Sequence, residues 1–291
     1  MKTGMTFAVR QIASAASGHV NDDASGMRAN AIWVLDGATG ASDVACTPGP
    51  SDAAWLACHV SDWLGAKADP ALPLLGQLPQ LQAGVIETFT REGYGAGIAQ
   101  EDTPSTCLGL VEYDAARAKL EIGIIGDISV IVATPDGIIR HFTDPSVEAF
   151  SAKSLVLWQE ARRRGASLEE AWRVVRPAIR ENRRMVNRAD GYWVINPVMP
   201  WLDGVRRHSV PVPAGARVLL ASDGYFRLVD VFERYDAGAL LERSFAHGLD
   251  TVIAELRGIE TGDSDCRTYP RMKLHDDATA IIAELVPPLT F

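Results

Sequence analysis

Ala31-Ile32-Trp33-Val34-Leu35-Asp36-Gly37-Ala38-Thr39-Gly40 is an apolar run that stops abruptly at an acid and a glycine-rich turn. Bulky residues over 30–35 predict a buried β-strand, with Asp36 placed where the strand runs out and the backbone becomes permissive. A carboxylate at a strand end is well placed to hold a cation, although Asp-Gly alone is more often a turn. Recurrence shifts that balance. The run 217–222 again ends in Asp223-Gly224, and His275-Asp276-Asp277 opens a strand-like run over 278–285. Asn21-Asp22-Asp23-Ala24 precedes the Asp36 strand, and Gly126-Asp127 follows the apolar run 120–125.

A chain of 291 residues, 47% hydrophobic and 22% charged, has enough apolar material for a sizeable core, and no Gly/Ser-rich or Pro-rich linker divides it. One domain over 1–291 is expected. The net charge of −9 argues against general nucleic-acid binding, which needs an excess of Lys and Arg. Neither a secretory leader nor a membrane-spanning run is present, so a soluble, cytoplasmic protein without a membrane partner is expected. Cys46, Cys58, Cys107 and Cys266 are widely scattered, which predicts free thiols.

Residues 6–13 alternate as a first strand, and 51–66 and 78–91 have helical spacing. Strand-like segments follow at 105–113, 118–125, 129–134 and 138–142, joined by turns too short for crossover helices. Strands, two helices and then consecutive strands indicate an α+β architecture and disfavour a doubly wound sheet. The segment 147–190 reads as helical in two pieces, with capping-box spacing at Ser167-Leu168-Glu169-Glu170 and Pro177 as a kink or break. Residues 160–188 hold nine arginines against four glutamates, a solvated face or a docking surface for an acidic or phosphorylated partner. Strands at 204–210 and 217–221, helices at 237–245 and 249–259, and a final strand complete the pattern.

Hard divalent ions prefer carboxylate, carbonyl and water oxygens. Two such ions can share a carboxylate, acidify a water and clamp a phosphoester during in-line attack. The sequence lacks a His-x-x-x-His pair, a phosphate-binding Gly-Lys loop, a dinucleotide fingerprint and a Gly-x-Ser-x-Gly turn.

In motif order the chain resembles the metal-dependent protein phosphatases of type 2C. The matching stretches are Asn21-Asp22-Asp23-Ala24, Asp36-Gly37-Ala38-Thr39-Gly40, Ser105-Thr106, Gly126-Asp127-Ile128-Ser129, Ser222-Asp223-Gly224 and Asp276-Asp277-Ala278-Thr279. The resemblance implies two packed antiparallel β-sheets flanked by helices, a flap beside the active site at the helical segment 147–190, and a phosphoserine/phosphothreonine protein phosphatase using two Mn²⁺ or Mg²⁺ ions, with a weaker third. It assigns Asp36 as the bridge between the metals, the Gly37 carbonyl and Asp22 or Asp23 to the second, Asp223 and Asp276 to the first, and Asp127 with Asp223 to the third. Asp36, Asp223 and Asp276 are thereby the catalytic set, and a phosphorylated protein, such as a Ser/Thr kinase or its target, is the implied partner. Alternatives are a catalytically weak regulatory relative and a small-molecule phosphatase.

Four departures mark this chain. Gly18 stands where the family usually has a phosphate-binding arginine, leaving His19, Arg10 and Arg28 as substrate-binding candidates. Ala38 replaces a histidine that donates a proton in some members, Arg227 replaces a further acid, and Ser129 is displaced by one position.

Overall fold

Alternation along the central strand determines how the layers stack. In the computed structural model, which describes residues 5–38, 40, 41 and 44–287, Ile32 and Val34 point into one apolar cluster while Trp33 and Leu35 point into another. Successive side chains of a strand face opposite ways, so a run apolar at every position must be covered on both sides. Thr39, within the glycine-rich turn, lies outside the described residues.

Two five-stranded antiparallel sheets provide that arrangement. One runs β1 (Thr6–Ala15), β10 (Ala278–Val286), β9 (Arg217–Ala221), β6 (Ser129–Ala133) and β7 (Ile139–Phe142). The other runs β2 (Ala24–Arg28), β3 (Ala31–Ala38), β4 (Ser105–Asp114), β5 (Lys119–Ile125) and β8 (Arg206–Pro211). Ile32, Val34, Val111, Ile122, Val130, Leu220 and Ile281 pack between them. The α+β reading, with two packed sheets, holds.

Helices cover the outer faces. Trp33, Leu35, Leu108 and Leu110 meet α1 (Asp52–Asp62) and α2 (Leu78–Arg91) through Leu56, Val60, Leu81 and Val85. On the opposite sheet, Ile131, Leu219, Ala280 and Ile282 meet α5 (Asp223–Asp230), α6 (Ala237–His247) and α7 (Leu249–Gly262) through Tyr225, Leu240, Leu241, Val252 and Leu256. Among the described residues no helix is long and apolar enough to cross a membrane.

The flap-like segment is an arm of two helices, α3 (Ser146–Arg163) and α4 (Leu168–Arg183). Ser167 caps α4, and the Glu170 side chain closes the capping box. Pro177 does not end α4, because the helix runs on to Arg183. The arm has its own small core of Trp158, Ala161, Ala171 and Val175 against Cys266.

Strand register sends every acidic motif to one end of the sandwich. β2 begins at Ala24 opposite Leu35, just after Asp22 and Asp23. Ala221, just before Asp223, pairs with Ser129 on one side and Ala280 on the other. Ala278, just after Asp276 and Asp277, pairs with Ala15. Asp36 sits one position differently from expectation. Gly37 and Ala38 continue the ladder against Thr106 and Ser105, so Asp36 lies inside β3 opposite Cys107 instead of ending it.

Candidate functional site

Asp36 is half-buried in β3, and its carboxyl is raised well above the usual range by desolvation and then by the charges of Asp223, Asp23, Asp127 and Asp276. Asp223 opens α5 directly after β9, and desolvation followed by Asp276 raises it too. The Arg227 charge and the Asp36 side chain work against that rise. Thr106 Oγ1 donates to the Asp36 carbonyl at 3.0 Å and fixes the strand beneath this pair.

The first acidic motif joins them from the loop before β2. Asp23 is 7% exposed, and burial pushes its carboxyl up to about 8, with Asp223 and Asp277 adding to the rise. Ser222 Oγ donates to its Oδ2 at 2.9 Å, while Oδ1 is buried without a hydrogen-bond partner. An orphaned carboxylate oxygen is costly in a folded interior and is what a cation would satisfy. Burial also raises Asp22, whose Oδ1 accepts a hydrogen bond from Ser51.

Two glycines allow these segments to close on each other. A Cβ at Gly37 would lie 2.5 Å from the Asp22 carbonyl oxygen, and one at Gly224 would lie 1.8 Å from that of Asp277. Asp277, where the family pattern has Asn, accepts backbone N–H groups of Ser17 and Asp22, each at 2.6 Å. It thereby ties the loop carrying Asp22 and Asp23 to the start of β10.

Asp127, between β5 and β6, is pushed up to about 7 by desolvation and then by Asp223. Cys107 Sγ donates to its Oδ1 at 3.2 Å. Asp276 differs from the rest. Burial works to raise it, but Lys273 and Arg227 outweigh burial and hold it below the usual aspartate range. Lys273 Nζ lies 2.8 Å from Oδ1 and Arg227 Nη2 2.6 Å from Oδ2, so both oxygens have a cation. Arg227 also pairs with the fully buried Glu260 at 3.0 Å, and Arg257 holds the other Glu260 oxygen at 2.7 Å.

All the acidic residues singled out in sequence therefore meet at this end, whereas the substrate-binding candidates divide. His19 is exposed on the loop that carries Asp22 and Asp23. Arg10 pairs with Glu284 at 2.8 Å, well along β1 from the acids. Arg28 donates to the Ala68 carbonyl at 3.1 Å from the far end of β2. Ser129 is buried in β6 beside His141 at 3.0 Å. Sequence reasoning did not find Lys273, Ser222 or Cys107 as neighbours of the acids, nor the ion pairs of Arg227. The only signal for Arg227 was its departure from the family acid.

Asp23, Asp36 and Asp223 carry the oxygen donors that a hard divalent ion prefers, and the orphaned Oδ1 of Asp23 marks unmet demand for positive charge. As they stand, no three acidic, histidine or cysteine side chains among the described residues form a group that could hold a metal.

A family profile described as protein phosphatase 2C matches residues 10–257. No curated protein matches the chain. Among solved structures, the serine/threonine phosphatase PstP/Ppp of Mycobacterium tuberculosis is similar with a TM-score of 0.56 at 15% identity, over 97% of this chain and 99% of that one. A structure of the PstP catalytic domain in complex with two manganese ions gives 0.55 at 16%, over 97% and 99%. PppA, a regulatory component of T6SS in Pseudomonas aeruginosa, gives 0.53 at 16%, over 96% and 97%. At these identities the structural likeness carries the fold.

Proposed function

Because the chain belongs to the protein phosphatase 2C family, we propose that it hydrolyses phosphoserine and phosphothreonine esters of proteins with Mn²⁺ or Mg²⁺. The observation supporting this reading is the gathering of Asp22, Asp23, Asp36, Asp127, Asp223 and Asp276 at one end of the sandwich, where most of them feel one another's charge. PstP, similar in fold, is known with two manganese ions. In this chain Asp36, Asp223, Asp23 and the Gly37 carbonyl would hold the principal ions, with Asp22 beside them. Asp276 would complete the first site, and Asp127 serves a weaker third. Divalent ions bound there acidify water and neutralise phosphoester charge.

Several side chains of the protein orient that centre. Ser222 fixes one oxygen of Asp23, Thr106 fixes the backbone of Asp36, and Asp277 fixes the loop of Asp22. Ala38 carries no group able to protonate a leaving oxygen, so that proton comes from water. His19 is the candidate for phosphate contact, since Arg10 and Arg28 are engaged elsewhere. The two cations on Asp276 favour a second reading, a catalytically weak relative that binds a phosphorylated partner and regulates it.

Turnover of p-nitrophenyl phosphate separates the two. Metal-stripped protein is expected to be inactive until Mn²⁺ is added, and Asp36→Asn and Asp223→Asn each to lose roughly 100-fold or more. Mn²⁺ binding by the folded protein without any turnover selects the regulatory reading.

A further inference from the structure

The two cations on Asp276 are built differently. Arg227 is 9% exposed at its side chain, with its other terminal nitrogen on Glu260, itself shared with Arg257. Arg257 Nη2 additionally donates to the carbonyls of Ala15 and Asp276, so this guanidinium network is locked into the fold. The Lys273 side chain is 57% exposed, and among the described residues its ion pair is with Asp276. Its backbone neighbours are nevertheless fixed: Arg271 donates to the Leu274 carbonyl at 3.1 Å and pairs with Asp263 at 2.7 Å. The ammonium thus hangs on a flexible stem from a rigid base, and its charge acts on Asp22, Asp36 and Asp223 as well as on Asp276.

We propose that Lys273 is a tethered counter-cation of the acid cluster, which competes with a divalent ion for Asp276 and must swing into solvent before that carboxylate can bind metal. The inference rests on the phosphatase reading, since it concerns how metal loads into the same site. Arg227 stays in place through loading, because it is itself buried and pairs with the fully buried Glu260. Lys273 can leave by side-chain rotation alone, with water replacing Asp276 as its partner. The protein then has a pre-neutralised form, with lysine on Asp276, and a metal-loaded form, with lysine released. Its first metal position is weaker than its carboxylate count implies.

The test is the Mn²⁺-binding isotherm of the full chain, read as free Mn²⁺ by electron paramagnetic resonance, for the wild type, Lys273→Gln and Lys273→Arg. Lys273 is exposed, so neither variant threatens folding. Lys273→Gln is expected to bind Mn²⁺ about tenfold more tightly or to take up a further ion, because the competitor is gone. Lys273→Arg keeps the charge and is expected to retain the wild-type weakness. In the metal-free state Lys273→Gln is expected to melt below the wild type, and saturating Mn²⁺ to remove that difference. Equal isotherms for all three, or weaker binding by Lys273→Gln, would overturn the lysine's role while leaving the phosphatase reading intact. No Mn²⁺ binding by any of them would overturn both.

Discussion

The helical arm and the acid end of the sandwich both use arginine, but to opposite effect. In the arm, Arg163 and Arg164 share Glu160, and Arg173 pairs with Glu169, with the three arginine side chains about 70% exposed or more. Such pairs are hydrated and screened, and each contributes roughly 1 kcal/mol or less. Beneath the acid cluster, Arg227, Arg257 and Arg271 are spread over 45 positions of sequence yet meet around Glu260, Asp263 and Asp276. There the charges are desolvated, and removing one strands another. A dense charge run is therefore a poor guide to which charges matter, and burial is the better one.

The largest expected effect breaks that comparison at its strong side. Arg227→Met leaves Glu260 and Asp276 each short of a cation, and should lower stability by about 3–5 kcal/mol in denaturant unfolding. A loss under about 1 kcal/mol would place Arg227 with the surface set. Arg183 departs from that pattern within the arm: it is 8% exposed and donates to the carbonyls of Glu101 and Thr103 at 2.9 and 2.7 Å. Arg183→Ala should cost about 2 kcal/mol and make the arm more readily cleaved in limited proteolysis.

Acidity sharpens the contrast further. Asp23 and Asp127 are raised to about 8 and about 7, and Asp36 is raised as well, so the folded metal-free chain keeps protons that the unfolded chain has already lost. Between the ordinary aspartate range and about pH 8, stability should fall as pH rises, because the folded state is the one binding more protons. Melting temperatures in chelator at about pH 5.5 and about pH 8.5 check this, and Mn²⁺ should flatten the profile. A profile equally steep with saturating Mn²⁺ would separate these carboxylates from metal binding. The smallest effect belongs to the exposed face of the arm: replacing Arg163 and Arg164 by Ala should change stability by roughly 1 kcal/mol. Turnover of p-nitrophenyl phosphate should stay the same, with any change confined to phosphopeptide preference.

Much of the fold was legible because apolar side chains declare the layers. Ile32 and Val34 against Trp33 and Leu35 already imply cover on both faces of β3, and the short turns between 105 and 142 imply antiparallel pairing. β2 was not read, since Ala24-Ser25-Gly26-Met27-Arg28 has little apolar alternation and forms by pairing with β3. α5 was hidden for a related reason, as Asp223-Gly224 reads as a turn, whereas the chain continues as a helix whose Tyr225, Phe226 and Leu228 are buried. The acids of the site were legible through their recurrence at strand ends. Lys273 was not, because its meeting with Asp276 depends on the path of the loop held by Arg271 and Asp263, which no local pattern encodes.

The most direct test of the account is phosphate release from a phosphothreonine peptide by metal-stripped protein, with and without Mn²⁺, for the wild type and Asp36→Asn. The account predicts release only when both Mn²⁺ and the Asp36 carboxylate are present. Equal release in chelator, or full activity of Asp36→Asn, would contradict it.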